Sequence, residues 1–227
     1  MNKKMNAVIV SCSSLTEFVD LAQRNMGTSY PVVIVDRQYH SEPSEMKERI
    51  RETIQGLPAE YDTVLVSMGF CGGTWDHVTF DRRIVIPRVD DCVSLLLTRD
   101  NVLVPNRKEM GHLYLYETNP EDFSALSLMR EGFQSGDRDL DGLDPAFLFS
   151  MLTQGYHHMD IIDTGLSPCY EEVYVIKAQE QADVIGAELD YVPGGVLLLE
   201  KLVSGDWDEQ FIVAEPGTVL LHGLFFE

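Results

Sequence analysis

Four cysteines carry the most versatile chemistry in this chain, and each follows an apolar run with the composition of a β-strand. The runs are Val8-Ile9-Val10-Ser11 before Cys12, Val64-Leu65-Val66 before Gly69-Phe70-Cys71, Ile84-Val85-Ile86 before Asp90-Asp91-Cys92, and Ile161-Ile162-Asp163 before Cys169. Thiolates bind soft metal ions and act as nucleophiles. Open α/β proteins place their ligands beyond the carboxyl ends of the strands. Four thiols in that position are therefore expected to line a site, the plainer alternative being that each packs as a small buried hydrophobe.

The loop Gly69-Phe70-Cys71-Gly72-Gly73 follows a strand and matches the G-x-C-x-G pattern of a nucleophile elbow. Gly69, Gly72 and Gly73 let the backbone turn sharply and let a ligand or an oxyanion approach backbone N–H groups. On that reading Cys71 is the catalytic nucleophile, with a base drawn from His77, His112, His157, His158 or His222. Only about eight residues separate the loop from the next strand, which is too few for the helix that normally backs an elbow. The equal reading is a glycine-rich loop that holds Cys71 against a metal or cofactor.

Arg88-Val89-Asp90-Asp91-Cys92 is the second constellation. An Asp at a helix N-terminus satisfies free N–H groups and complements the helix dipole. One cap explains one carboxylate, so Arg88, Asp90 and Asp91 are expected to contribute to binding a ligand. As a metal centre, Cys71 and Cys92 would be joined by Cys12, Cys169 or a histidine around zinc, iron (including an iron–sulfur cluster) or cobalt. The sequence has no close C-x-x-C pair to support this by spacing.

Weaker motifs read as structural. His157-His158 sits at the start of a strand, where a surface role is expected. Asp137-Arg138-Asp139-Leu140-Asp141-Gly142 imitates half of a calcium loop, but Leu148 stands where the bidentate glutamate belongs. Trp207 lies in a turn that would shield the core.

The elements that must position these groups alternate between strand and helix. Strands are predicted at about 6–11, 31–35, 63–68 and 84–86, with helices behind Ser13 or Ser14, at about 44–55 and at 92–97. A blurred stretch at about 106–156 holds a strand near 113–116 and helices opening at Asn119-Pro120 and Asp144-Pro145. Strands near 159–163, 188–192 and 211–214 then alternate with helices at about 168–185 and 196–203. The expected fold is a three-layer α/β protein, mostly parallel sheet with helices on both faces. It is read as one domain, divisible into an N-terminal α/β half (1–105), a mainly helical connector (106–156) and a C-terminal α/β half (157–227).

Composition narrows the partners. Of 227 residues, 17 are Lys or Arg and 37 are Asp or Glu, a formal net charge of −20 that disfavours nucleic acid and anionic membrane surfaces. The apolar stretch near the start is too short for a signal-peptide core, and no stretch approaches the roughly 20 apolar residues of a membrane span. A cytoplasmic location is expected, where cysteines serve as thiols or ligands rather than as disulfides.

The loop Gly69-Phe70-Cys71-Gly72-Gly73, followed by Ile84-Val85-Ile86-Pro87-Arg88-Val89-Asp90-Asp91-Cys92 and Leu95-Leu96-Leu97, resembles the uncharacterised family catalogued as domain of unknown function 1638. Further similarity lies at Ile162-Asp163-Thr164-Gly165, Pro193-Gly194, 202–207 and Pro216-Gly217. The resemblance implies an accessory protein that binds a metal or a cobamide, with corrinoid-dependent methyltransferase components as partners. The alternatives are a cysteine-dependent hydrolase or transferase using Cys71, and a cofactor-free regulatory or scaffold protein.

Overall fold

The computed structural model describes residues 6–120, 147, 151, 153–166 and 168–227. The calcium-like turn at 137–142 and the helices expected behind Asn119-Pro120 and Asp144-Pro145 fall outside them. The chain forms two compact units, one from Met1–Arg107 with Val196–Glu227 and one from Lys108–Gly195.

The first unit is built on a five-stranded sheet. Its strands are β1 (Ala7–Cys12), β2 (Val32–Val35), β3 (Thr63–Ser67), β4 (Arg83–Pro87) and β8 (Phe211–Ala214), in the order β2-β1-β3-β4-β8. The first four are parallel and β8 runs antiparallel to β4, pairing Ile86 with Ile212. β1 and β3 are buried along their whole length, as expected of near-continuous Val/Ile/Leu runs covered on both faces.

Helix α1 (Thr16–Met26) buries Phe18, Val19 and Ala22 and ends at Gly27, whose φ of +66° is the left-handed cap that glycine adopts without strain. Helix α2 (Pro43–Gln55) opens on its proline and buries Met46, Ile50 and Ile54 at helical spacing. Right-handed crossovers from β1 to β2 and from β2 to β3 put α1 and α2 on opposite faces of the sheet. Helix α3 (Cys92–Leu97) follows β4. Helix α5 (Leu197–Ser204) packs beside α1 and against β3 and β4.

Lys201 on α5, only 6% exposed, donates to Asp208, Gln210 and Asn101, which ties the helix to the approach of β8. Trp207 lies half-buried, donating its indole N–H to Leu202 O at 2.9 Å. A short helix α6 (His222–Phe226) ends the chain and lays His222, Phe225 and Phe226 around the ring of Phe70.

The second unit has a three-stranded parallel sheet, β5 (His112–Leu115), β6 (His158–Asp163) and β7 (Glu188–Pro193), in sequential order. Helix α4 (Glu172–Ile185) covers one face, where Leu115, Met159, Ile161, Tyr174, Ala178 and Ala182 form the core.

The mixed α/β fold, with mostly parallel sheets and helices, is the architecture expected. Its partition is different. No C-terminal half runs from 157 to 227; the chain leaves the second unit at Gly195 and returns to the first, where α5 and β8 complete the sheet. The physical reason is the free side of β4, whose backbone groups need partners that β8 supplies.

Candidate functional site

The 2-1-3-4 order of the first sheet is wound outward in both directions from β1 and β3, so the connections leaving those neighbouring strands diverge and open a crevice at their carboxyl ends. Cys12 is the last residue of β1, Cys71 lies four residues beyond β3, and Cys92 opens the helix behind β4. The thiol of Cys92 lies close enough to those of Cys12 and Cys71 for each to perturb its ionisation. Three of the four candidate cysteines therefore form one cluster, all free and all buried.

A backbone zipper brings the two cysteine loops together. Phe70 N–H donates to Val89 O at 2.9 Å and Cys71 N–H to Asp90 O at 2.7 Å, continuing the pairing of β3 with β4 beyond the strands. A Cβ added at Gly69 would lie 2.7 Å from Asp91 N and Cα, so only glycine permits this approach. Cys71 has a φ of +46°, unusual for a residue with a Cβ, and Gly72 and Gly73 have φ of +67° and +100°. Left-handed backbone at a non-glycine residue costs about 1–2 kcal/mol and is concentrated at functional positions. The loop closes with a 3-10 turn, Cys71–Gly73, in which Thr74 Oγ1 donates to Cys71 O at 2.8 Å. No supporting helix follows, since the chain runs through a turn to the bridge of Val78 with Leu220.

Asp91 caps α3 by accepting Ser94 N–H at 3.0 Å, and its charge also acts on Cys92 and His40. Asp90 contributes backbone, donating to Pro105 O and accepting from Cys71. Arg88 lines a cleft of about 740 Å³ with Phe211, Ile212, Leu221, Leu224 and Glu227, and donates to Glu209 O at 3.4 Å. Cys169 belongs to the second unit, where Asp163 is its hydrogen-bonding neighbour and its carbonyl accepts from Tyr191 Oη at 3.0 Å.

The imidazole at the cluster is His40, which was not among the expected bases. Its Nε2 lies 3.4 Å from Cys12 Sγ, and Ser14 Oγ lies 3.1 Å from the same sulfur. Asp36 Oδ1 accepts Gln38 N–H and caps the 3-10 turn Arg37–Ser41, while Ser13 Oγ accepts Arg37 N–H at 2.9 Å. These bonds pin the segment after β2 to the segment after β1. His40 was legible by the same strand-end rule that selected the cysteines, for it follows Val32–Val35, but its polar surroundings resemble no motif. Of the expected bases in this unit, His77 is exposed beside Asp76, and His222 stacks on Phe226 at 4.5 Å.

The cluster holds the protons of Cys12 and Cys92. Cys12 is pushed far above the usual thiol range by the neighbouring Cys92 thiol and by burial, against which His40 pulls the other way. Cys92 is lowered by the Cys12 thiol, but the Cys71 thiol, burial and the neighbouring charges of Cys71 and Asp91 outweigh that and raise it. Burial lowers His40, and contact with Cys12 and the charge of Asp91 reverse the effect to leave it raised. Closely spaced buried thiols cannot all ionise without a compensating cation. Three sulfurs and one imidazole nitrogen are the donor set preferred by zinc, iron and cobalt. As they stand these donors do not form a ready shell, since among the described residues no group of three or more His, Cys, Asp or Glu does. Loading would exchange thiol hydrogen bonds for bonds to the ion and release protons.

Fold and site together define an α/β protein with a thiol cluster at the switch point of a doubly wound sheet. More particularly, residues 34–203 match the family described as Protein of unknown function (DUF1638), and the chain belongs to that family. The matched span includes His40, Cys71 and Cys92 and begins after Cys12. No curated protein and no solved structure matches the chain. Among the described residues no helix is long and apolar enough to cross a membrane.

Proposed function

We propose that this protein binds a thiophilic metal ion or a metal-containing cofactor through Cys12, Cys71 and Cys92, with His40 as the neighbouring imidazole. The observation that carries the reading is the set of three buried free thiols that perturb one another's ionisation, with His40 3.4 Å from the first, at the diverging strand ends. A bound cation would supply the charge that lets these groups ionise together. The protein's own contribution is to hold the sulfurs in a shielded place, with Gly69, Gly72 and Gly73 giving close backbone access and Asp91 capping the helix that carries Cys92. The role is accessory, serving corrinoid-dependent one-carbon transfer in the cytoplasm, with methyltransferase components as partners. The location is supported by four free cysteines, and the corrinoid link rests on the family association alone.

The test is elemental analysis with an ultraviolet–visible spectrum on protein purified without oxygen or chelator, beside a Cys71→Ser, Cys92→Ser variant. Near-stoichiometric zinc, iron or cobalt with thiolate charge-transfer absorption, lost in the variant, is the expected result. Because Cys12 and Cys92 hold their protons tightly, uptake should strengthen by about tenfold per pH unit for each proton released. Metal-free protein that takes up none of these ions would overturn the metal reading. Binding of an added cobamide by protein that takes up none of the free ions would leave the cofactor reading in its place.

A cysteine-dependent enzyme is the second reading, favoured by the left-handed backbone at Cys71. It requires iodoacetamide to label Cys71 at neutral pH well before Cys12 and Cys92. Equal resistance of all three would exclude it.

A further inference from the structure

Arg88 is a cation without a carboxylate partner in a chain whose 37 acidic residues outnumber its 17 basic ones. It follows β4, and its backbone N–H donates to Gln210 O at 2.8 Å, so it stands where β8 begins. One end of the guanidinium is used, Nη1 donating to Glu209 O at 3.4 Å. The other edge, formed by Nε and Nη2, is a side that grips a carboxylate through two parallel N–H···O bonds. Nε is buried and has no hydrogen-bond partner, and among the described residues no carboxylate pairs with this guanidinium. Leaving a buried donor unpaired is costly, and a ligand oxygen on that edge removes the cost.

The cleft that Arg88 lines is otherwise largely apolar. Phe211 and Ile212 of β8, both buried, line it together with Leu221 and Leu224, which are exposed on the segment that enters and forms α6. Its volume of about 740 Å³ falls within the range of small-molecule pockets, about 300–1,000 Å³. Four large apolar side chains and one guanidinium match an apolar body that ends in a carboxylate. Glu227 is the acidic member of the lining, and its carboxylate lies against Gly223, where an added Cβ would stand 3.1 Å from Oε2. That charge opposes a second negative group on the ligand, which disfavours phosphate esters and dicarboxylates.

We propose that this cleft binds a small apolar monocarboxylate, with Arg88 Nε and Nη2 holding the carboxylate side-on and the body resting on Phe211, Ile212, Leu221 and Leu224. All of these groups belong to the first unit, and none is a member of the thiol cluster. The site therefore stands or falls apart from the metal reading.

Titration of the full chain with hydrocinnamate, followed by the side-chain Nε–H signal of Arg88 in NMR, tests this. A saturable shift of that signal with a Kd below about 1 mM is expected, in wild type and in the Cys71→Ser, Cys92→Ser variant alike. Hydrocinnamamide, which keeps the body and loses the charge, should bind about tenfold more weakly or worse. Phenylsuccinate, the same body with a second carboxylate, should bind about threefold more weakly or worse. Arg88→Gln should weaken hydrocinnamate about 10–100-fold, and Arg88→Lys nearly as much, because an ammonium does not reproduce the fork. The comparison of acid, amide and dicarboxylate needs no variant. Absence of hydrocinnamate binding, amide or dicarboxylate bound as tightly as the acid, or undiminished binding in folded Arg88→Gln protein overturns the proposal whatever the thiol cluster does.

Discussion

The four parallel strands of the first sheet and the three of the second gather different chemistry at their carboxyl ends. In the first, the order β2-β1-β3-β4 reverses direction between β1 and β3, and the diverging segments leave Cys12, His40, Cys71 and Cys92 side by side. In the second, β5, β6 and β7 follow in sequence, with no reversal. There Asp163 accepts Gly165 N–H at 3.0 Å and Tyr170 Oη at 2.7 Å, and Tyr170 stacks on Tyr191 with centroids 4.9 Å apart. One set of strand ends holds buried groups whose charges conflict; the other is internally satisfied. Strand order, more than residue type, decides where a crevice can be filled with ligand-binding groups.

Glycine substitutions give the largest contrast between the two. Gly69→Ala should cost about 3 kcal/mol or more, because the new Cβ would meet the backbone of Asp91 at 2.7 Å and the zipper must part. Gly165→Ala has a φ of +76° but nothing within 4 Å of its Cβ, and should cost about 1 kcal/mol. Urea midpoints followed by amide NMR signals of each unit compare them, and equal losses would remove the distinction. Both tryptophans, Trp75 and Trp207, lie in the first unit, so their fluorescence follows that unit alone.

Alkaline pH comes next. A thiol whose folded pKa is raised keeps its proton while the unfolded chain ionises, so its stabilising contribution is complete below about pH 8.5 and is lost as pH rises. With Cys12 and Cys92 both raised, the first unit should lose up to about 1.4 kcal/mol per pH unit for each thiol above that value. Tryptophan fluorescence between pH 8 and 10 measures the slope, and the Cys12→Ser, Cys92→Ser variant should flatten it. An unchanged slope in the variant would place the loss elsewhere.

The smallest effects lie in the second unit. Asp163 is held low by the Tyr170 hydroxyl and the Gly165 N–H, so its contribution is present above the ordinary carboxylate range and lost as pH falls through its depressed value. The reciprocal effect pushes the Tyr170 phenol up to about 12, chiefly through its bond to Asp163. Tyr114 and Tyr191 are raised as well, so ultraviolet titration should find several late phenols, the last of which disappears in Tyr170→Phe with little change in stability. A normal set of phenols would break the account of that end of the sheet.

Much of the architecture was legible because each segment's local pattern agrees with its final place. Val64-Leu65-Val66 and Ile84-Val85-Ile86 are apolar enough for buried parallel strands, and Asp91 announces helix α3. Periodicity does not say which sheet a strand joins, and this is why Cys169 was grouped with the other thiols and why 211–214 read as part of a C-terminal half. His40 was missed because its ring is positioned by Ser13 and Asp36 through side-chain-to-backbone bonds that have no periodic signature. The stacking of His112 on His158 in the second sheet was equally hidden, since the two become neighbours only through strand register.

The return of β8 to the side of β4 has a consequence during synthesis. Residues 108–195 are contiguous and leave the ribosome before β8 does, so the smaller unit can complete its fold on the emerging chain. The larger sheet must wait, with one flank of β4 unpaired, until residues 211–214 have been translated. The order of maturation is thus the inner segment first and the enclosing one last.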